Sequence, residues 1–220
     1  MKKRTIKLGS YDTAANLWTL SAWSLSPAEY KQTLIEVPGR IDGPLDYSTA
    51  QTDGEPVYSS RTLTVTLESS EGTRLERKHR IREMVNLLDG REIDILLPDD
   101  DWYYLHGRAK VTPLYNDPAH ASVQVTATCA PWLYALEDTV VELTATSATQ
   151  TATIKNNGRR PVLPSVVVTG SVNLALGVRS WALSAGTYLL PDLYLPQGAH
   201  QITYSGSGTL TLSYREGVLE

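Results

Sequence analysis

Alternation of apolar and polar residues along short segments is the feature that most constrains the fold of this 220-residue chain. In residues 61–67 apolar side chains alternate with threonines, and residues 122–130 repeat the pattern. Successive side chains of a β-strand point to opposite faces, so each segment is expected to bury one face. The alternation predicts a mainly β fold in which the single cysteine, Cys129, fills the core.

The same alternation near the C-terminus predicts a β-hairpin. Ile202 and Tyr204 precede the Gly- and Ser-rich residues 205–208, and Leu212 and Tyr214 follow them. Short loops that contain glycine are typical of the turns between antiparallel strands. Two strands are therefore predicted to close the fold.

One segment has the period of an amphipathic helix instead. Its apolar residues follow the spacing i, i+3, i+4, i+7: Ile81, Met84, Val85 and Leu88. Thr73 and Glu76 make a capping box, and Gly90, just past Asp89, can take the left-handed conformation that ends a helix. We predict one α-helix from about Thr73 to Asp89.

The polar face of this helix is rich in cations: Arg74, Arg77, Lys78, Arg80 and Arg82. A solvated face is the simplest interpretation, and a contact with another subunit or with nucleic acid are the alternatives. The net charge of −4 and the pI near 5.6 disfavour nucleic acid, whose binding requires a cationic surface. No specific nucleic-acid binding is expected.

A change in composition after residues 130–132 indicates two domains. There the chain enters residues 143–153, rich in Thr, Ser and Ala, which suit an exposed strand pair or a linker. The predicted domains are residues 1–138, with strands and one helix, and residues 139–220, a β-sandwich. No apolar run is long enough for a membrane span, and no export signal is expected after the basic N-terminus.

Motifs that carry catalytic chemistry are missing from the sequence. The four histidines lie far apart, and neither a phosphate-binding loop nor a nucleophile elbow is present. The run from Asp99 to Asp101 could bind a cation, but its place between Pro98 and the aromatic Trp102 is typical of a solvated turn. We predict no enzymatic activity, no cofactor and no metal.

Two rival interpretations use side chains elsewhere. A glycosidase could use two carboxylates from Glu36, Asp42, Asp46 and residues 99–101, but no spacing singles out a pair. A sugar-stacking platform could be built from five aromatic residues: Trp181, Tyr188, Tyr194, Tyr204 and Tyr214. Tyr204 and Tyr214 share the alternation of core residues, so a place in the core is the simpler explanation for them.

An ordered series of segments resembles the siphophage distal tail protein family. The series comprises residues 37–47, 52–58, 81–90, 102–108 and 127–132. The later segments 156–158, 183–186 and 214–217 are similar to the galectin-like C-terminal domain of that family. The resemblance implies an N-terminal β-rich domain with one helix and a C-terminal galectin-like β-sandwich.

What the resemblance implies about function is a structural role at the virion tail tip. Family members form a homo-hexamer that joins the tail tube protein to a tail-associated lysin or tail fibre protein, sometimes with receptor-binding proteins. Assembly in the host cytoplasm is expected. The alternative is a carbohydrate- or receptor-binding module of a phage tail, although the His-x-Asn and Trp-x-x-Glu signatures of galectins are missing here.

Six residues are candidates for the contact between copies: Arg40, Asp42, Tyr47, Tyr58, Arg77 and Arg80. The first four belong to the segment from residue 37 to residue 58, whose prolines, glycines and mixed charges make a poor independent strand but a reasonable clasp. The other two belong to the cationic helix face. A cyclic ring requires two different, complementary patches on every subunit, and these segments are the predicted pair.

Overall fold

The structure is a computed structural model, and it describes residues 5–36, 39, 43–52, 54–98 and 100–220. The chain divides into two compact units, the first ending at Leu133 and the second comprising Tyr134–Glu220. The predicted fold class is confirmed, because the described residues are mainly β with one helix. The domain limits expected from composition, residues 1–138 and 139–220, stay a prediction.

The first unit is built on one antiparallel sheet. Its elements are β1 (Lys7–Leu8), β2 (Tyr11–Asp12), β3 (Thr19–Leu25), β4 (Leu34–Ile35), β5 (Leu45–Asp46), β6 (Arg61–Ser69), α1 (Arg74–Leu88), β7 (Glu92–Leu96), β8 (Tyr103–Asn116) and β9 (Ala121–Ala135). Seven strands are hydrogen-bonded in the order β2-β1-β7-β8-β9-β6-β3, whereas β4 and β5 form a separate two-stranded sheet.

The two alternating segments form neighbouring strands of this sheet, and each buries one face, as predicted. β6 pairs with β9 so that Val65 lies opposite Val125, and both side chains are buried. Cys129 is buried at the end of the same row, which confirms its place in the core. Burial raises the pKa of its thiol to about 11.

The predicted helix is confirmed together with both of its ends. The hydroxyl of Thr73 accepts a hydrogen bond from the Glu76 amide, and the Glu76 carboxylate accepts one from the Thr73 amide at 2.6 Å. These bonds satisfy two amides that an open helix end leaves unpaired. Hydrogen bonds from the Thr73 amide and hydroxyl to the Glu76 carboxylate lower the pKa of Glu76. Gly90 has φ of +73° after the C-cap residue Asp89.

The second unit is a β-sandwich-like pair of curled sheets. Its strands are β10 (Thr139–Ala145), β11 (Gln150–Asn156), β12 (Ser165–Val168), β13 (Ser171–Leu176), β14 (Arg179–Leu183), β15 (Gly186–Leu189), β16 (Gly198–Tyr214) and β17 (Gly217–Val218). The strand order is β14-β13-β16-β12-β15, and β10 and β11 also pair with β16. The stretch from residue 143 to 153 therefore contains the end of β10 and the start of β11, which each pair with β16 rather than with each other.

The predicted C-terminal hairpin is wrong. Residues 205–208 continue as the middle of the 17-residue strand β16, whose first half pairs with β11 and β13 and whose second half pairs with β10 and β12. Gly206 has φ of +131°, and a Cβ there would lie 2.1 Å from the carbonyl oxygen of Ser171. The glycines allow a bend and a close backbone approach, which leave the same signature in a sequence as a turn.

Candidate assembly surfaces

A long excursion of the first unit, residues 27–60, leaves the main sheet and is called the arm below. None of its described residues is buried. Its base is held by backbone bonds: the Lys31 amide donates to the Val57 carbonyl at 2.7 Å, and the Ser59 amide donates to the Glu29 carbonyl at 2.7 Å. The two ends of the arm are therefore hydrogen-bonded to each other, but none of its described side chains is buried in a core.

The tip of the arm is the two-stranded sheet of β4 and β5, in which Ile35 lies directly opposite Leu45. Tyr47 follows two residues after Leu45 and so shares its face. These side chains are exposed by 47%, 38% and 48% respectively, which makes an unpartnered apolar face. An isolated two-stranded sheet is marginally stable in water, so this face is the kind of surface that a partner covers.

The opposite face of the tip is acidic. Asp46 lies opposite Leu34, and Glu36 follows two residues after Leu34 on the same face. The Asp46 carboxylate accepts a hydrogen bond from the Ser48 amide at 2.8 Å, and hydrogen bonding from Ser48 lowers the pKa of Asp46. The carboxylate is therefore ionised at neutral pH.

The structure distributes the predicted contact residues of the arm unevenly. Arg40 and Asp42 lie outside the described residues. Tyr47 belongs to the exposed apolar face of the tip, whereas Tyr58 is half-buried near the base. The ring of Tyr58 packs edge-on against Trp132, with centroids 5.3 Å apart.

Arg77 is a buried cation of the first unit. Its side chain is 1% exposed, and its guanidinium donates to three carbonyl oxygens: Gly72 at 2.6 Å, Asp117 at 2.7 Å and Pro118 at 2.9 Å. The interpretation of the helix cations as a solvated face is therefore wrong for Arg77, because the loop before β9 covers it. A buried side chain has no surface for another copy, so the contact proposed below does not use Arg77.

Arg80 is also engaged within the first unit. Its guanidinium donates to the Ser69 hydroxyl at 3.0 Å and to the Glu71 carbonyl, and it lies over the Trp18 ring at 5.9 Å from the centroid. These contacts join α1 to the segments that precede it in the chain. The role of Arg80 between copies stays a prediction.

A groove of about 630 Å³ lies between α1 and the end of β8. Its apolar lining comes from Leu75, Ile81, Pro113, Leu114 and Tyr115. Leu75 is 64% exposed and Leu114 is 49% exposed, so the groove presents apolar surface to solvent. It is a second candidate contact surface of the first unit, distinct from the arm.

Three cations of α1 line the same groove: Arg74, Lys78 and Arg82. They stand at positions i, i+4 and i+8 and so form one row on the helix. Like charges at this spacing destabilise a helix by a few tenths of a kcal/mol per pair, so a partner with carboxylates relieves a built-in repulsion. In the sequence these three cations cannot be told apart from Arg77 and Arg80, which belong to the same helix. The apolar Leu75 among the cations is the signal that could have revealed the groove.

Another groove, of about 810 Å³, lies on the outer face of β7, β8 and β9. Two of its charged side chains, Arg108 and His106, are paired within the chain. Arg108 Nη2 lies 2.6 Å from a Glu92 carboxylate oxygen, and His106 Nδ1 lies 2.8 Å from Asp94. Because these side chains already have partners, this groove offers less to a ligand than the groove beside α1.

The described residues hold no group of three or more His, Cys, Asp or Glu side chains that could bind a metal ion. Asp99 lies outside the described residues. The Asp100 carboxylate accepts hydrogen bonds from the amides of Trp102 and Tyr103, both at 3.0 Å, which is the geometry of the predicted turn. In the part of the chain that is described, no helix has the length and apolar character for a membrane span.

The aromatic residues of the second unit do not form one exposed platform. Tyr204 and Tyr214 are buried in the core, as predicted, and burial raises the pKa of Tyr214. Trp181 and Tyr188 are half-buried against the same core, and Tyr194 is exposed.

Comparison of the whole fold with solved structures identifies its class. The chain has the fold of the hub proteins of phage tails. It is similar to the Dit protein of phage SPP1, described as a paradigm of the hub adsorption apparatus in phages that infect Gram-positive bacteria: the TM-score is 0.70 at 16% identity, over 97% of this chain and 98% of that one. The distal tail protein resemblance is thus confirmed at the level of the fold.

Two further structures support the assignment of the fold. Chains of the phage p2 baseplate in its activated conformation, with Sr and with Ca, match with TM-scores of 0.52 at 9% identity, over 97% of this chain and 98% of each of those. No protein-family model matches the chain, and no curated protein matches it in sequence. The likeness therefore comes from tertiary structure.

Proposed function

We propose that this protein is a structural, non-enzymatic subunit of a phage tail hub and that it forms a homo-hexameric ring at the distal end of the tail. The observation that supports this most is the match to SPP1 Dit over nearly the full length of both chains, since both units take part in it. An added catalytic domain would leave part of the chain unmatched.

Features of the first unit support ring formation independently. The apolar tip of the arm and the groove beside α1 are two different exposed surfaces on one subunit. A ring with cyclic symmetry uses two unlike surfaces on every copy, each covering roughly 800 Å² for a stable contact.

The proposed ring joins the tail tube protein on one side to a tail-associated lysin or tail fibre protein on the other, with receptor-binding proteins at the rim in some tails. Its place is the virion tail tip, after assembly in the host cytoplasm. The likeness to phage hub and baseplate proteins supports the choice of these partners.

Native mass spectrometry and negative-stain microscopy of the purified protein test this proposal. A particle of six chains with a central opening is the expected result, at least at high protein concentration. A chain that stays monomeric alone, and also in the presence of a tail tube protein and a tail lysin from the same phage, would contradict the proposal.

A further inference from the structure

We propose that the tip of the arm of one copy docks into the groove between α1 and β8 of the next copy. This inference rests on the proposed ring and names the two surfaces that close it. The tip inserts between the two walls of this groove. Its apolar face, with Ile35, Leu45 and Tyr47, covers the apolar residues of the β8 wall, and its opposite, acidic face meets the row of cations on the α1 wall.

Apolar exposure is the first argument. Monomeric proteins seldom leave neighbouring large apolar side chains uncovered, and both surfaces do so here. On the tip, Ile35 and Leu45 are directly opposite each other, so their side chains form one continuous patch. In the groove, Leu75 and Leu114 stand exposed on α1 and β8 respectively.

Charge complementarity is the second argument, and it favours the arm tip of another copy as the segment that binds in the groove. The groove carries Arg74, Lys78 and Arg82 in a chain whose net charge is −4. From Leu34 to Tyr47 the sequence contains three carboxylates, at Glu36, Asp42 and Asp46, against one cation, at Arg40. The tip therefore combines apolar and acidic side chains, and the groove combines apolar and cationic ones, so the two surfaces are complementary.

Local stability is the third argument. The two-stranded sheet of the tip has no buried side chain, and such a sheet alone is marginally stable. The cation row of α1 is a source of repulsion within the free subunit. Docking removes both penalties at once, because the sheet gains a packed face and the cations gain carboxylates.

The docked surfaces are unlike each other, so the contact is heterologous. A contact of this kind propagates from copy to copy and either closes into a ring or continues as a filament. The proposed ring is the closed form, and the tip-to-groove contact is the link between its copies.

Site-specific cross-linking tests the contact in the full chain. The double variant Ile35→Cys/Leu114→Cys is treated with a short bismaleimide and separated on a denaturing gel. Both positions are exposed, so the fold should tolerate the changes, whereas the native Cys129 is buried and stays unreactive. The control variant Ile35→Cys/Leu189→Cys places the second thiol at an exposed leucine of the other unit.

The expected result is a ladder of cross-linked species from two chains to six for the first variant and no ladder for the control. Wild-type hexamers in native mass spectrometry without a ladder would overturn the inference and leave the proposed function intact. A ladder combined with a wild-type chain that never closes a ring would uphold the contact and overturn the hexamer. If neither the hexamer nor the ladder is seen, both the tip-to-groove contact and the proposed ring are overturned.

Two other occupants of the groove are distinguished by the same gel. An internal cross-link, seen as a monomer of altered mobility, would place the tip in the groove of its own chain and overturn the inference. A hexamer without the cross-link, in which a bound tail protein is lost on Lys78→Glu/Arg82→Glu, would assign the groove to that protein and overturn the inference.

Charge exchange provides a second measurement. Lys78→Glu/Arg82→Glu and Glu36→Lys/Asp46→Lys should each weaken assembly about tenfold or more, and the four changes together should restore it. Because the exchanged pairs have opposite signs, recovery in the combined variant arises only if the two surfaces meet. Failure of the combination to recover, with each pair still folded, would count against the contact.

Discussion

Arg77 and Asp117, forty residues apart in the chain, are joined by a hydrogen bond of 2.7 Å from the guanidinium Nη2 to the backbone carbonyl oxygen. The same nitrogen donates to Pro118, and Nη1 donates to Gly72. One buried cation thus fixes the start of α1 and the loop before β9 in the same place.

Replacing this cation should destabilise the first unit strongly. Arg77→Ala leaves three carbonyl oxygens without their donor and opens a cavity, so a loss of about 3 kcal/mol in the free energy of unfolding is expected. Urea denaturation followed by circular dichroism measures it. Lys78→Ala, the exposed neighbour on α1, should change stability by less than about 0.5 kcal/mol. Equal midpoints for the two variants would show that the Arg77 bonds do not support the fold.

The capping box predicts a smaller and more local effect. Thr73→Ala removes the hydroxyl that accepts from the Glu76 amide, so a loss of about 1 kcal/mol is expected. Thr203→Ala, an exposed threonine on β16, is the matched control and should cost less. Denaturation midpoints measure the stability of both variants. An equal loss of stability in Thr203→Ala and Thr73→Ala would contradict the assignment of Thr73 as the N-cap.

The capping box of Thr73 and Glu76 should also make the free energy of unfolding depend on pH. Hydrogen bonds from Thr73 lower the pKa of Glu76 below its ordinary value of 4.5, so the contribution of the carboxylate is complete above that value. It is lost as the pH falls through the lower pKa of the folded state. Wild-type protein should therefore lose its advantage over Glu76→Gln between roughly pH 6 and roughly pH 3. Melting temperatures at both pH values check this, and a constant difference would refute it.

Gly206 should tolerate no side chain. Its φ is +131°, and a Cβ built there would lie 2.1 Å from the Ser171 carbonyl oxygen, so Gly206→Ala must push β13 away from β16. A loss of about 3 kcal/mol or more is expected. Gly177→Ala is the control: it also has positive φ, +59°, but open space around its Cβ, so only the backbone strain of about 1 kcal/mol remains. Similar losses for both would argue against the close approach.

Cys129 should be inert in the native protein. Its pKa of about 11, against an ordinary 9.0, lowers the thiolate fraction about a hundredfold at pH 8, and burial blocks access as well. Labelling with a chromogenic disulfide should be negligible in buffer and complete in denaturant. The variant Cys129→Ala/Ser180→Cys, with its thiol at an exposed position, should label quickly without denaturant. Rapid labelling of the wild type would show that the core opens readily.

Much of the fold could be predicted from the sequence because its determinants are local. The alternation in residues 61–67 specifies a half-buried strand wherever the strand ends up, and the capping residues Thr73 and Glu76 act on the helix they begin. Burial of Tyr204 and Tyr214 followed from the same two-residue period. Such patterns need no knowledge of which elements become neighbours.

The errors share a different origin. Arg77 occupies a helix position that looks solvated until the Asp117 loop folds over it, and residues 205–208 look like a turn until β11 and β13 pair on one side of the bend and β10 and β12 on the other. The groove beside α1 likewise exists only because the end of β8 lies beside α1, so that Leu114 and Leu75 line it together.

Local patterns along the chain were thus enough to specify the strand-rich class, the position and caps of the helix, the core residues and an arm poor in core-forming pattern. Folding in three dimensions was needed to establish which cations are buried, that one long strand joins both sheets of the second unit, and that an apolar groove faces solvent. The physical reason is range: polarity and capping act within a few residues, whereas burial and surface shape depend on contacts between segments far apart in the chain.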